Sequence, residues 1–219
     1  MTVTSLVPID VKENDFKTLM SIYKSAAKQV YEELNELKEN LFRLYGFDVI
    51  NNVTSRIKTP TSIINKMKKK NYEFNYKNLI EKIDDIAGVR VICPLKSDIY
   101  TIIDLIEIIP NLRIIETKDF VSKPKKSGYS GYHIIVEVPV TFEEKEIFIK
   151  VEIQLRTMAM DFWATNEHKI KYKAKKKLSF FDSNRLKLYA RLLYILDEKI
   201  MKLHHKQRLK EIKNNNIYN

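Results

Sequence analysis

The sequence predicts an α/β protein, in which a mixed β-sheet is flanked by helices and a long helix lies at each end of the chain. Apolar residues recur at spacings of three and four near both ends, the pattern of an amphipathic helix. The middle of the chain instead contains β-branched runs with alternating apolar and polar residues, which predict strands. At 219 residues, the chain fits one structural domain with helical extensions.

Heptad seams predict both terminal helices, because their apolar residues are spaced alternately by three and four. The N-terminal seam consists of Phe16, Met20, Tyr23, Ala27, Val30, Leu34, Leu37, Leu41 and Leu44, and Gly46 follows as a C-terminal stop. The C-terminal seam consists of Leu186, Tyr189, Leu193, Leu196, Ile200 and Leu203. The two seams indicate helices that pack on each other or across subunits, and packing within one chain is the alternative.

The region between the seams alternates helices and strands. Thr59 can cap a helix that begins at Pro60. The remaining predicted elements are a turn and strand at Ile83–Cys93, a helix at Ile99–Ile109, strands at Arg113–Thr117 and Tyr132–Val140, and one strand, or two joined by a turn at Glu143-Glu144, over Phe142–Arg156. We therefore divide the chain into an N-terminal helical region (1–50), an α/β core (51–175) that is expected to carry the functional site, and a C-terminal helical region (176–219) that is expected to mediate oligomerisation.

Charge and cysteine content restrict the function. The 39 Lys and Arg residues outnumber the 28 Asp and Glu residues, and the net charge of +11 favours an anionic partner: nucleotide, nucleic acid or acidic membrane. The single cysteine, Cys93, excludes a disulfide framework and is expected to be a buried strand residue. The N-terminus lacks the features of a signal peptide, and no uninterrupted apolar segment approaches a membrane span. We expect a cytoplasmic protein without a membrane partner.

The segment Ile147–Lys173 carries the strongest functional signal. Its strand presents apolar residues on one face and Phe148, Lys150, Glu152, Gln154 and Arg156 on the other. The strand runs directly into an apolar-rich helix, which indicates a central strand whose polar row lines a cleft. Such a row offers a carboxylate for a metal or a proton and cations for phosphate.

Three further groups of residues point to phosphate and nucleotide chemistry, and each has a structural alternative. Arg56, Lys58, Ser62 and Lys66 would converge at a helix N-terminus as a phosphate site, or would form a solvated basic helix. The second group, Asp84-Asp85 followed by Arg90, suits a metal ligand with a nearby cation, or a capped turn with a surface arginine. In the third, Lys125, Tyr129 and His133 belong to a glycine-containing loop in which Tyr129 can stack on a base, and His133 is catalytic or structural.

Asp85 and Glu152 lie on different predicted strands and could share one Mg²⁺. Basic groups around them could hold a nucleoside triphosphate. This combination of metal, cations and a base that accepts a hydroxyl proton is what phosphoryl-type transfer requires.

Four motifs in order, RIKTPTSIINK, DDIAGVRVIC, KKSGYSGYH and VEIQLRTMAMDFWATNEHKIKYK, resemble the synthetase domain of the RelA/SpoT homologue family over Arg56–Lys173. The short chain is similar to the small alarmone synthetases of the RelQ/RelP type. The resemblance implies a nucleotidyltransferase-like fold and stringent-response signalling. It implies transfer of pyrophosphate from ATP to the 3′-OH of GDP, GTP or GMP with Mg²⁺, releasing AMP and forming (p)ppGpp. No His-Asp dipeptide occurs, so synthesis without hydrolysis is expected.

The resemblance also assigns roles by position. It implies ATP binding by Arg56, Lys58, Ser62, Lys66, Arg90 and Lys118, where many relatives have arginine in place of Lys118. It implies guanine nucleotide binding by Lys125, Tyr129, His133, Gln154 and Arg156. Asp85 and Glu152 would hold the metal, Glu152 would be the general base, and His133 would assist at the phosphates.

The same motifs bear on substrate preference, regulation and two alternative functions. The loop reads Gly128-Tyr129-Ser130-Gly131-Tyr132-His133 where the family commonly has Gly-Tyr-Arg-Ser-x-His, so the preferred guanine nucleotide is undetermined. The resemblance suggests a homotetramer, with a (p)ppGpp effector or regulatory RNA as further partners. Asn52 and Asp161 lie near the effector positions of relatives, and the acidic Asp161 would weaken product activation. The alternatives are a template-independent nucleotidyltransferase and a non-catalytic RNA-binding module.

Overall fold

The computed structural model describes residues 16–173 and 179–215, which form six helices and five strands. The helices are α1 (Phe16–Tyr45), α2 (Pro60–Lys69), α3 (Tyr76–Lys82), α4 (Lys96–Ile106), α5 (Met158–Lys173) and α6 (Phe180–Asn215). The strands are β1 (Asn52–Ile57), β2 (Ala87–Cys93), β3 (Arg113–Asp119), β4 (Tyr132–Phe142) and β5 (Lys145–Thr157).

The strands form one mixed sheet in the order β1-β2-β5-β4-β3. β2 and β5 are parallel, and the other neighbouring pairs are antiparallel. β5 is the middle strand, as its sequence predicted. The turn before it contains Glu143 and Glu144 at φ values of 47° and 62°, the left-handed conformation that suits a two-residue hairpin loop.

The two faces of the sheet differ in chemistry. One face carries the aliphatic residues of the central strands, including Val89, Val91, Val151 and Ile153, all of which are buried. Helix α1 covers this face and contacts β1, β2, β4 and β5, while α4 packs on β2 and β5. The opposite face carries the polar row of β5. The hydrophobic core therefore packs against one side of the sheet and holds the strands that carry the polar face on the other side.

The N-terminal seam packs on the sheet of its own chain, the alternative that the sequence left open beside packing on the other terminal helix or across subunits. The residues that α1 buries are Leu19, Ile22, Tyr23, Ala26, Ala27, Val30, Leu34 and Leu41. This stripe is wider than a heptad seam because a sheet contacts a broader part of the helix than a partner helix does. Leu44, the last residue of the predicted seam, is 71% exposed.

The C-terminal seam behaves differently. Helix α6 contacts α4 and α5 and buries Ala190 and Asp197. Exposed apolar residues run along its other side: Leu188, Tyr189, Leu192, Ile195, Leu196, Ile200 and Leu203. In the described part of the chain, this apolar face of α6 remains uncovered.

Two elements were absent from the sequence prediction. β1 is an edge strand in which only Val53 is buried, so it lacks the alternation by which strands are recognised. Helix α3 has seven residues, too few for a helical period to appear. Cys93 is fully buried in β2, as expected, and burial raises the pKa of its thiol. Among the described residues, no helix has the length and apolar character to cross a bilayer.

Candidate active site

The strand register places the polar residues in line across the sheet. Arg90 of β2 lies opposite Gln154 of β5, which in turn lies opposite His133 of β4 and then Lys118 of β3. Directly opposed residues point to the same side of a sheet, so these side chains share the polar face. Glu152, two residues before Gln154, lies on that face as well.

A cleft of about 720 Å³ opens between this face and helix α5. The sheet and its adjoining loop contribute Arg56, Arg90, Arg156 and Tyr129 to its walls. Helix α5 contributes the opposite wall, which includes Thr165, Glu167, His168 and Lys169. A cleft that carries several cations and an aromatic ring suits a nucleotide.

Glu152 is held by two hydrogen bonds. Its Oε1 accepts from His133 Nδ1 at 2.8 Å, and its Oε2 accepts from Gln154 Nε2 at 2.5 Å. Burial raises the pKa of this carboxyl, but the bonds from His133 and Gln154 outweigh burial and leave the pKa below its ordinary value. Glu152 is therefore ionised at neutral pH and presents a fixed negative charge.

The hydrogen bonds continue from Glu152 towards Tyr129. His133 Nε2 lies 2.5 Å from the Tyr129 hydroxyl oxygen, so the ring bridges Glu152 and Tyr129. Arg156 Nη2 donates to the Tyr129 hydroxyl at 3.0 Å and to Gln154 Oε1 at 2.9 Å. Gln154 and Arg156 are both buried, so this network has little freedom to rearrange.

Asp85 collects the second charged cluster, at the turn before β2. Lys58 Nζ lies 2.6 Å from Oδ2, and Lys66 Nζ lies 2.8 Å from Oδ1. Burial raises the pKa of Asp85, but the two lysines outweigh it and lower the pKa below its ordinary value. Two of the four residues predicted to bind phosphate, Lys58 and Lys66, therefore lie around an ionised carboxylate.

The other two members of the predicted phosphate site are Ser62 and Arg56. Ser62 is exposed, and its hydroxyl lies 2.8 Å from Thr59 Oγ1, within the predicted cap of α2. Arg56 lines the cleft from β1. Asp84 pairs with Lys150 at 2.8 Å, so the adjacent carboxylates of Asp84 and Asp85 serve different partners.

The loop between β3 and β4 brings Lys125 to Tyr129. The backbone N–H of Lys125 donates to the Tyr129 carbonyl at 2.9 Å. Lys125 Nζ lies 4.2 Å from the centre of the Phe120 ring and 5.0 Å from that of Tyr129. Gly128 turns this loop at a φ of 86°. The predicted combination of a cation and an aromatic ring is therefore present beside His133.

Lys118 lies on the edge strand β3, opposite His133 and three strands away from Arg90. Its side chain is about half exposed, and its Nζ pairs with Glu116 Oε2 at 2.8 Å. β3 and β2 are separated by β4 and β5, so three strand spacings place Lys118 and Arg90 about 14 Å apart along the sheet. The sheet brings both residues to one face without bringing them into contact.

Asp161 contacts two arginines of the cleft, Arg90 and Arg156, and the sequence did not reveal these contacts. It belongs to α5, and its Oδ1 lies 2.9 Å from Arg156 Nη1 and 3.2 Å from Arg90 Nη1. Its position five residues after Arg156, beyond the end of a strand, was the available signal. The contact depends on the strand-to-helix turn, which residue spacing alone does not specify.

Asp85 and Glu152 supply carboxylate oxygens, the type of ligand by which proteins hold magnesium. Asp85 and Glu152 are both ionised and lie near enough for the charge of Asp85 to act on the pKa of Glu152. Within the described residues, no cluster of three or more His, Cys, Asp or Glu side chains could hold a metal by itself. Mg²⁺ is commonly held by one or two carboxylates together with substrate phosphates and water, so two carboxylates suffice.

Known proteins resemble this chain over the same region. The family description "Region found in RelA / SpoT proteins" matches residues 55–177. The GTP pyrophosphokinase YwaC of Bacillus subtilis is 36% identical over 201 residues, covering 92% of this chain and 96% of that protein. The GTP pyrophosphokinase YjbM of the same organism is 34% identical and covers 67% of this chain and 70% of that protein.

Solved structures give the same result. Small alarmone synthetase 1 from Bacillus subtilis, bound to its product pppGpp, superimposes with a TM-score of 0.82 at 28% identity, covering 89% of this chain and 98% of that one. Small alarmone synthetase 2 from the same organism superimposes with a TM-score of 0.79 at 35% identity, covering 88% and 99%. The fold expected from the motif resemblance is thereby confirmed. The chain belongs to the RelA/SpoT family and matches small alarmone synthetases over most of the length of both chains.

Proposed function

We propose that this protein synthesises (p)ppGpp from ATP and GDP or GTP, as a cytoplasmic enzyme of the stringent response. The observation that carries the proposal is the ionised Glu152, fixed by His133 and Gln154 on the polar face that forms one wall of a cation-lined cleft. The similarity to GTP pyrophosphokinases and to a synthetase bound to pppGpp supports the same reaction.

In the proposed reaction, Glu152 accepts the proton of the guanosine 3′-hydroxyl. The hydroxyl oxygen then bonds to the β-phosphorus of ATP while the bond from that phosphorus to the α,β-bridging oxygen breaks, and AMP leaves. Its lowered pKa keeps Glu152 unprotonated at neutral pH, the state that a general base requires. Mg²⁺ bound by Asp85 and Glu152 would neutralise the negative charge on the phosphates.

On the ATP side, Lys58 and Lys66 are the proposed phosphate ligands. Both are partly exposed and already lie at Asp85, so they can follow the phosphates that a shared metal would bring there. Arg56 and Arg90 line the cleft and Ser62 lies in the first turn of α2, which supports their proposed place around ATP. Lys118 would have to leave its ion pair with Glu116 in order to bind ATP.

On the guanine side, Tyr129 is the proposed stacking platform and Lys125 a phosphate ligand. His133 and Gln154 keep Glu152 in position, and Arg156 holds both Tyr129 and Gln154. We assign His133 the further role of assisting at the phosphates, because its ring lies between Glu152 and Tyr129.

The decisive assay incubates the protein with ATP, Mg²⁺ and GMP, GDP or GTP separately and identifies the products by mass. We expect AMP together with a guanine nucleotide that has gained pyrophosphate. Glu152→Gln keeps the shape of the side chain and should lower the rate at least about 10²-fold, the lower range for loss of a general base. Full activity in a correctly folded Glu152→Gln variant would refute the assigned role.

The RNA-binding alternative gives the opposite result in a parallel assay. Salt-sensitive RNA binding that survives Glu152→Gln, with no pyrophosphate transfer by the wild type, would favour a non-catalytic module. RNA or (p)ppGpp could also regulate an active synthetase. Adding pppGpp to the turnover assay tests the expectation that the product activates the enzyme only weakly.

We further propose a homotetramer in which the apolar face of α6 is an intersubunit contact. Support comes from the exposed Leu196, Ile200 and Leu203 on one side of that helix. Light scattering should give four times the monomer mass, and Leu196→Glu with Ile200→Glu should lower it. A monomeric wild type would contradict the proposal.

A further inference from the structure

The cleft gathers positive charge that its own carboxylates must balance. Arg56, Arg90 and Arg156 all line it. Burial and the nearby charge of Arg156 lower the pKa of Arg90, and Asp161 acts in the opposite direction. Two guanidinium groups side by side repel each other, so an arrangement that keeps Arg90 next to Arg156 needs an anion between them.

Asp161 supplies that anion with a single oxygen. Its Oδ1 accepts a hydrogen bond from Arg156 at 2.9 Å and pairs with Arg90 at 3.2 Å. Arg156 carries its remaining bonds to Tyr129 and Gln154, on the side proposed for the guanine nucleotide. Arg90 stands on β2, on the side proposed for ATP.

We infer that Asp161 is a positioning residue that holds Arg90 and Arg156 side by side and thereby links the ATP half of the cleft to the guanine half. This inference rests on the proposed function. It adds a residue on α5, outside the groups assigned to either substrate, whose loss affects the binding of both.

The two contacts differ in a way that suits this role. Arg156 is buried, and its link to Asp161 is one of three hydrogen bonds, so it forms the fixed end. The side chain of Arg90 is 30% exposed and is tied to Asp161 by charge alone at the longer distance. Arg90 can therefore contact a ligand in the cleft while Asp161 limits its range of positions.

The test compares Asp161→Asn with Asp161→Glu and with a charge-matched control, Asp104→Asn. Asp104 is exposed on α4, away from the cleft, so its change should leave all kinetic constants as in the wild type. Asp161→Asn should raise KM for ATP and for GDP by about tenfold each, the order expected from loss of a charged hydrogen-bond partner. The change in kcat should be smaller, and Asp161→Glu should recover part of both KM values.

A second comparison separates positioning from a general loss of structure. In an Arg90→Ala background, Asp161→Asn should add little to the KM for ATP and should still raise the KM for GDP through Arg156. Thermal melting of each variant checks that the fold is intact.

Equilibrium binding separates the failure of this inference from the failure of the proposed reaction. Affinities for a non-hydrolysable ATP analogue and for GDP are measured without turnover in wild type, Asp161→Asn and Asp104→Asn. A wild type that binds both ligands but forms no product would refute the proposed reaction alone. Folded Asp161→Asn that binds both ligands within twofold of wild type, or binds either more tightly, would overturn the role of Asp161.

Discussion

The two sides of the cleft are built by different interactions. On the proposed ATP side, two lysines meet Asp85 through ion pairs, and the side chains of Lys58 and Lys66 are 17% and 33% exposed. On the guanine side, a chain of directional hydrogen bonds runs from Glu152 through His133 to Tyr129. Partly exposed ion pairs can be redistributed when a phosphate arrives, whereas the hydrogen-bonded chain requires each partner to keep its place.

This difference predicts where a substitution is tolerated. A change on the ATP side removes one of several charges around a common point, so the remaining cations compensate in part. A change in the hydrogen-bonded chain leaves a neighbouring polar group buried without its partner, which has a larger free-energy cost.

The larger expected effect comes from Tyr129. Tyr129→Ala removes both the ring and the hydroxyl, and it should raise KM for the guanine nucleotide about tenfold to a hundredfold, as loss of a base-stacking ring predicts. Tyr129→Phe should raise KM less but lower kcat, because His133 and Arg156 both lose the hydroxyl. Steady-state kinetics with Tyr45→Ala, at an exposed tyrosine on α1, provide the control. Equal kinetics for Tyr129→Phe and wild type would show that the hydrogen-bonded chain is dispensable.

The smaller effect concerns Asp85 and stability in acid. Its pKa is lowered in the folded protein, so the folded state binds this proton more weakly than the unfolded chain does. The stabilisation is complete above the ordinary value of 3.8 and is lost as pH falls through the lowered pKa. Asp85→Asn should therefore unfold at a lower urea concentration than wild type at pH 6. The difference between their urea midpoints should be smaller at pH 3. An equal difference in urea midpoint at both pH values would show that the charge of Asp85 does not stabilise the ATP side.

The sequence predicted the central parts of the molecule because there a single pattern specifies both fold and site. The alternation from Ile147 to Arg156 identified β5, its central position and the face that carries Glu152. The same reasoning missed β1, whose position at the sheet edge leaves its residues mostly exposed.

The terminal helices show what a repeat leaves undetermined. Both seams have the same spacing, yet α1 packs on its own sheet and α6 keeps an apolar face exposed. Spacing defines the face of a helix that is apolar, and tertiary structure decides what covers it. The pairing of Asp161 with Arg90 was likewise unpredictable, because the contact joins residues of β2, β5 and α5 and depends on how α5 leaves the end of β5.

Gly128 and Ala190 define how closely the loop of Tyr129 approaches α6. A Cβ added at Gly128 would lie 2.2 Å from the Cβ of Ala190, and the backbone there has a φ of 86°. Both sterics and backbone conformation therefore favour glycine at position 128, because a side chain there would have to displace Ala190 or the loop. The inner side of α6 is thus held against the guanine side of the cleft by close packing at Gly128 and Ala190, while the apolar residues on its outer side are exposed.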